Sequence, residues 1–295
     1  MRDKGILESI KDRDMRSLNQ HLGFIFLKLC VLAVMLALGV LIFYVTVRGI
    51  GVMSLDFLIQ SPRDGMVKGG IFPAILGTVL LSLGAILFAL PMGVLTAVWL
   101  TEYSTSKQFV RVVRIGINSL AGVPSIVFGL FGLAVFVKFM QFGISLLSGS
   151  LVLGILILPT IIGASEEALL TVPKNFKEAS LALGATRWET MYKIILPNSI
   201  SGILTGIIIS VGRAAGETAP ILMTAATFYT ARLPNSLFSK VMALPYHIYA
   251  LMTEGSAKGQ TEIAYGTTLV LLILVLAVNS VAIFIRIKAR RERKW

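Results

Sequence analysis

Residues 171–202 read TVPKNFKEASLALGATRWETMYKIILPNSISG, an amphipathic insertion between two long apolar runs. From Glu178 to Ile194 the spacing of apolar side chains predicts two short amphipathic helices. Gly184 lies between them, at a turn where a Cβ is unwelcome. Pro197 is expected to restrict Leu196 and to open the following helix at its first turn. A helix–turn–helix of this kind, exposing Leu181, Leu183, Trp188 and Met191, either lies on its own protein or docks against a partner.

Working outward, the flanking sequence is that of a membrane protein. The 295-residue chain is 56% hydrophobic and only 14% charged, which places it outside the composition of soluble domains. Runs able to cross a roughly 30 Å hydrocarbon layer need about 20 residues. Six are present, at about 24–47, 72–99, 115–137, 144–165, 200–224 and 265–285. Their continuous hydrophobicity, without a period of two, selects helices over a β-barrel. The first run is too long for a cleavable signal and is expected to remain as an anchor.

Charge orients the six spans. Lysines and arginines crowd the segment before the first span (Arg2, Lys4, Lys11, Arg13, Arg16) and after the last (Arg286, Lys288, Arg290, Arg291, Arg293, Lys294). They also crowd the second connection (Lys107, Arg111, Arg114) and the fourth (Lys174, Lys177, Arg187, Lys193). The opposite connections carry fewer. Both termini are therefore expected on the cytoplasmic side of a multi-pass membrane protein. The organisation expected is a basic N-terminal tail over 1–22, a six-span domain over 23–285 that holds the 171–198 loop, and a basic C-terminal tail over 286–295. The outer segment 225–264 contains LPNSLFSKVMALPYHIYALMTEG, which reads either as short interfacial helices or as a structured loop.

Other chemistries are excluded or carry no signal. The net charge of +12 follows from cytoplasmic lysine and arginine rather than from a nucleic-acid surface. The single cysteine, Cys30, allows no disulfide within the chain and reads as a small packing residue. His21 and His247 lack a nearby second ligand and read as interfacial, so no metal or other cofactor is expected. Glu166 and Glu167 read as a solvated end of the fourth span rather than as an acid–base pair. The sequence has no GxxxxGK[ST] phosphate loop, so any ATPase must be another polypeptide. The chain is not expected to be an enzyme.

The spacing of Glu178, Ala179, Gly184, Ile194, Leu196 and Pro197 resembles the EAA loop of ABC importer permeases: EAA, three residues, G, nine residues, I, one residue, LP. Ser180 stands where the motif has its second alanine. The resemblance implies an all-α membrane protein of six transmembrane helices with the type I ABC importer permease (MetI-like) fold. It also implies that these six residues couple the chain to an ATP-binding subunit. Further stretches are similar to A-type permeases of the phosphate-specific importer: GGIFPAILGT at 69–78, ALPMGVLTAVWLTEY at 89–103, LAGVPSIVFGLFGL at 120–133, RAAGETAPILMTAA at 213–226 and LPYHIY at 244–249. The partners implied are a homologous C-type permease, an ATP-binding subunit dimer, an extracytoplasmic phosphate-binding protein and the lipid bilayer. A permease for sulfate or molybdate would share the general features, and a non-transporting receptor or scaffold would share the loop.

RAAGETAP, 213–220, places an arginine and a glutamate in a span where each costs about 2.5–3.5 kcal/mol to insert. Spaced i and i+4, Arg213 and Glu217 can pair along one helix and leave guanidinium donors free to grip two oxygens of a phosphate. Gly212 and Gly216 would allow close backbone approach, and Pro220 would loosen the helix. Arg213, Gly216, Glu217 and Thr218 are thus candidates for the substrate pathway; a structural ion pair fixing the bundle is the other reading.

Overall fold

In lipid, apolar side chains gain nothing by leaving one hydrocarbon surface for another, so helices associate where small residues let them approach closely. The computed structural model describes residues 2–63, 66, 68–227, 229–230, 233–253 and 259–291, with side chains described between residues 20 and 288. It divides into two units, residues 1–48 and 49–295.

The first unit is a single helix, α1 (Arg2–Gly49), which carries helical backbone through the predicted N-terminal tail. Cys30 is exposed on it rather than packed. Near its end the Arg48 guanidinium lies 5.6 Å from the Tyr44 ring centre, an arrangement suited to a membrane surface. The side chains of the basic residues before position 20 lie outside the described residues, as do those of Arg290 and Arg291, residues 292–295, and positions 232 and 258.

The second unit begins with α2 (Leu55–Ile59) and a two-residue antiparallel pair, β1 (Pro62–Arg63) and β2 (Lys68–Gly69). It continues with α3 (Phe72–Val98), α4 (Lys107–Ala121), α5 (Ser125–Gly132), α6 (Leu146–Leu170), α7 (Lys174–Ala182), α8 (Arg187–Thr190) and α9 (Leu196–Gly216). The chain finishes with α10 (Ala219–Thr224), α11 (Leu244–Thr253) and α12 (Gln260–Arg291). Among the described residues, five stretches of helix are long and apolar enough to cross a membrane, six if the bent pair of α4 and Ser125–Phe139 is taken as one span.

At the centre lies α6, packed between α3 and α9, with α12 against α9 and α11. The contacts run through small residues. A Cβ placed on Gly93 would lie 2.6 Å from Ile161, and one on Gly202 or Gly206 would lie 2.5 Å from Ala168 or Ala164. These helices touch along backbone surfaces that have no room for a methyl group.

Two predicted spans are broken. The run at 115–137 is not one helix: α4 and the helix Ser125–Phe139 meet at 98°. The break falls at Gly122–Pro124, because proline disfavours helical backbone at the residue before it and α5 begins only after Pro124. The run at 200–224 ends as α9 at Gly216, and Glu217 takes an extended conformation before α10 starts.

At Pro197 the deviation is in the other direction. Leu196 is helical, with φ −61° and ψ −47°, and α8 continues through a wide π-helical turn (Met191–Ile195) into α9. That wider turn accommodates a proline that would otherwise remove a hydrogen bond inside the helix. Arg187–Gly216 is therefore one continuous helix of 30 residues.

The outer segment enters the bundle rather than lying on it. Val241, Met242, Ala243 and Leu244 are buried beside α3, and the non-helical backbone before Leu244 is satisfied by protein. The Leu244 amide donates to the Thr78 hydroxyl at 2.8 Å, and the Thr227 amide donates to the Val241 carbonyl at 3.0 Å. His247 on α11 is buried, not interfacial.

A Cβ on Gly77 would fall 1.9 Å from the Met242 carbonyl oxygen, whereas one on Gly163 meets nothing within 4 Å. Gly77→Ala is expected to destabilise the detergent-solubilised protein by about 1–3 kcal/mol, as over-packing does. Gly163→Ala should leave the thermal midpoint close to that of the parent.

Candidate transport and coupling sites

Sequence analysis singled out two groups of residues, and the structure places them at opposite ends of α9. The first group surrounds the break after Gly216. Arg213, in the last turn of α9, donates from Nε to Glu217 Oε1 at 3.5 Å. The expected pair therefore forms, but across a helix end rather than within a helix, since Glu217 is already extended (φ −74°, ψ 132°). The Arg213 side chain is 38% exposed and that of Glu217 19%, so the guanidinium faces outward from this chain while the carboxylate is half-buried.

The expected close approach at Gly216 is not found: it is exposed, and an added Cβ would meet nothing within 4 Å. Gly212 makes ordinary contact with Asn279 and Val275 of α12. Sequence reading missed Asn279, a polar residue in the last span whose buried Oδ1 has no hydrogen-bond partner among the described residues. Its only signal was a lone amide in an apolar run. Thr218 is half-buried in the break, and its carbonyl accepts from the Leu222 amide at 3.1 Å.

Behind the break, two separate signatures of the sequence meet. The VPSIVFG stretch forms α5, whose Gly129 lies where a Cβ would be 3.1 Å from the Ala219 carbonyl and from Pro220 Cα. Phe128 joins the same buried cluster as Ala214 and Ile221. Both broken spans thus come together, with α5 packed closely on the start of α10 just after the Glu217 break.

The second group is the 171–202 loop. The two predicted helices form as α7 and α8, and Gly184 between them has φ +82°, a left-handed conformation that favours glycine. Thr186 caps α8: its hydroxyl accepts from the Glu189 amide, and the Glu189 carboxylate accepts from the Thr186 amide at 2.9 Å. That amide, the Thr186 hydroxyl and Lys193 hold the Glu189 carboxyl below the usual carboxylate range.

Glu178, Ala179, Gly184 and Pro197 are exposed, whereas Ile194 and Leu196 are half-buried. Leu183, Trp188 and Tyr192 face outward, with the Trp188 and Tyr192 rings stacked at 6.4 Å. Met191, expected on this face, is instead buried in a cluster with Ala97, Val98, Leu169, Val172 and Ile195.

Ion pairs hold the loop end of the bundle. Lys177 of α7 pairs with Glu102, which follows α3, and Arg114 of α4 pairs with Glu166 of α6. Glu166 is therefore half-buried and paired, not a freely solvated carboxylate, while Glu167 is exposed as expected. Among the described residues no cluster of metal ligands occurs.

These features describe a membrane bundle of broken and continuous spans with an exposed helix–turn–helix at one end, and comparison with known proteins identifies it as a permease. The family described as "Binding-protein-dependent transport system inner membrane component" matches residues 89–294. The chain belongs to this family of ABC transporter permeases. It is 36% identical over 226 residues to the phosphate transport system permease protein PstA 1 of Mycobacterium tuberculosis, covering 77% of this chain and 72% of that one. It is 34% identical to the PstA permease of Mycobacterium leprae over 94% of this chain and 91% of the relative. It is also 33% identical to the probable ABC transporter permease protein YqgI of Bacillus subtilis, covering 86% and 90%. Among solved structures, inward-facing MetNI, a methionine ABC transporter, superposes with a TM-score of 0.56 at 20% identity, covering 75% of this chain and 94% of that one. This last likeness shows the fold alone.

Ser180, the one departure from the loop motif, is buried, and its hydroxyl lies 2.9 Å from that of Thr190, tying α7 to α8. Ser180→Ala is expected to leave the Thr190 hydroxyl unpaired and to cost about 1–3 kcal/mol. Pairing it with Thr190→Val should recover most of that loss, as read from thermal unfolding of the purified protein.

Proposed function

We propose that this chain is one of two permeases forming the path of an ATP-driven importer for inorganic phosphate. The observation that carries the reading is Arg213: a guanidinium on the outer surface of a spanning helix, beside a helix break. Facing lipid there costs about 2.5–3.5 kcal/mol, so water or a second permease must cover that surface. Several relatives at more than 30% identity are named as phosphate permeases, and a guanidinium is suited to a phosphate because it can donate to two of its oxygens together.

In this reading the substrate passes Arg213, Gly216, Glu217 and Thr218 at an interface with a homologous C-type permease. Glu217 holds the guanidinium in place and limits its grip, so that the anion is released. A phosphate-binding protein delivers from outside, and two copies of an ATP-binding subunit supply the energy. Glu178, Ala179, Gly184, Ile194, Leu196 and Pro197 belong to the coupling loop, and Leu183, Trp188 and Tyr192 supply its contact with the ATP-binding subunit. Both termini are cytoplasmic, and this chain catalyses no bond chemistry.

The test is ATP-dependent uptake of labelled phosphate into liposomes holding the whole complex. Arg213→Gln is expected to reduce uptake at least about tenfold, the equivalent of one lost charge-assisted hydrogen bond, with subunit assembly unchanged. Retained uptake would make the pair structural. Excess sulfate or molybdate that suppressed uptake as well as arsenate does would reassign the anion.

Gly184→Val tests the loop in the same liposomes. A β-branched residue at φ +82° is strained, so ATP hydrolysis should continue while uptake falls. Normal coupling in this variant would remove the loop from that role.

A further inference from the structure

α4 does not run through the bundle. It meets the helix Ser125–Phe139 at 98°, and that partner helix enters the core through Phe128 and Gly132. α4 therefore crosses the end of the bundle, the same end that carries α7, because Arg114 pairs with Glu166 near the end of α6 and Glu102 pairs with Lys177.

Its sequence is KQFVRVVRIGINSLA, without a carboxylate. Lys107, Arg111, Arg114 and Asn118 are spaced i, i+4, i+7 and i+11, which places them in one stripe. Phe109 and Val112 lie on the opposite face, 52% and 66% exposed, and Ile115 on the flank is 58% exposed. Beside the stripe is a cleft of about 480 Å³ walled by Leu100, Ser104, Lys107, Arg111, Arg114 and Asn118. Glu166 occupies Arg114, but Lys107 and Arg111 form no ion pair among the described residues.

We propose that this cleft is a binding site for the phosphate group of an anionic glycerophospholipid, and that α4 lies along the membrane surface as an interfacial helix. Two cations and the Ser104 and Asn118 side chains suit a singly charged phosphodiester. Leu100, Val110 and Ile115, apolar walls of the same cleft, give the reason for choosing a lipid over a free anion, and Phe109 and Val112 on the far face suit contact with the surrounding bilayer. Trp99 supports the placement: its ring meets Phe109 edge-on at 5.6 Å, at the entrance of α4, and tryptophan favours the membrane–water boundary.

Trp99 also supplies the probe. In the full chain carrying Trp188→Phe and Trp295→Phe, reconstituted in phosphatidylcholine vesicles, its fluorescence is to be quenched by brominated phosphatidylglycerol or by brominated phosphatidylcholine at equal mole fraction. Stronger quenching by the anionic lipid is expected. Lys107→Gln with Arg111→Gln should lower that preference by roughly fivefold for each charge removed, as a cation near an anionic surface contributes. The swapped pair Lys107→Arg with Arg111→Lys should keep it, as should Lys138→Gln, which alters an exposed cation elsewhere. Equal quenching by the two lipids, or a preference that survives the double glutamine variant, would overturn the proposal. Loss of the preference on adding millimolar inorganic phosphate, but not chloride, would assign the cleft to the free anion and overturn it as well.

Discussion

The distance between α6 and its neighbours is set by atoms that are absent from side chains. Where Gly202 and Gly206 of α9 face Ala168 and Ala164, and where Gly93 of α3 faces Ile161, the helices approach until only hydrogen atoms separate them. In a bilayer this is the contribution available to helix association, because lipid tails solvate leucine as well as protein does. The buried 241–244 segment depends on the same economy of volume at Gly77. Its irregular backbone remains in the bundle only because α3 leaves space for it and the Thr78 hydroxyl meets the Leu244 amide.

Against that tightly packed centre, the two breaks occupy the side where α5 and α10 meet. Each interruption frees backbone groups that hydrocarbon could not satisfy, and the one after Gly216 is backed by the close packing of α5. The charged pair sits at one of these interruptions, so the most polar point of the spans coincides with the point where helical backbone stops. The opposite end is organised differently. There, ion pairs between α7 and the end of α3, and between α4 and α6, fix amphipathic elements that have little buried surface of their own.

Much of this was legible in the sequence, and the misreadings share a cause. Hydropathy locates apolar runs but is blind to whether the backbone within them stays helical. It therefore found 72–99 and 144–165, yet merged α4 with α5 and α9 with α10. The glycine and proline signals at Gly122–Pro124 and Pro220 marked those breaks, whereas Pro197, the same kind of signal, lies within a continuous helix because a π-helical turn absorbs it. Gly184 was readable because a turn between two periodic segments needs little tertiary information. Met191 and Ser180 were not, because which side of a short amphipathic helix turns inward is decided by the tertiary contacts it meets. His247 was read as interfacial because nothing local reveals that an outer segment will enter the bundle.

The uninterrupted helix from Arg187 to Gly216 joins the exposed loop to the helix break. At 1.5 Å per residue it is about 45 Å long, and it begins within the loop itself instead of being hinged to it. Displacement of α8 therefore has no joint at Pro197 in which to be absorbed. A tilt of roughly 10° about the loop end would carry the far end about 8 Å sideways, which is enough to shift a guanidinium from one neighbour to another. The extended residue after Gly216 then acts as the compliant joint, and it lies next to the charged pair and not next to the loop.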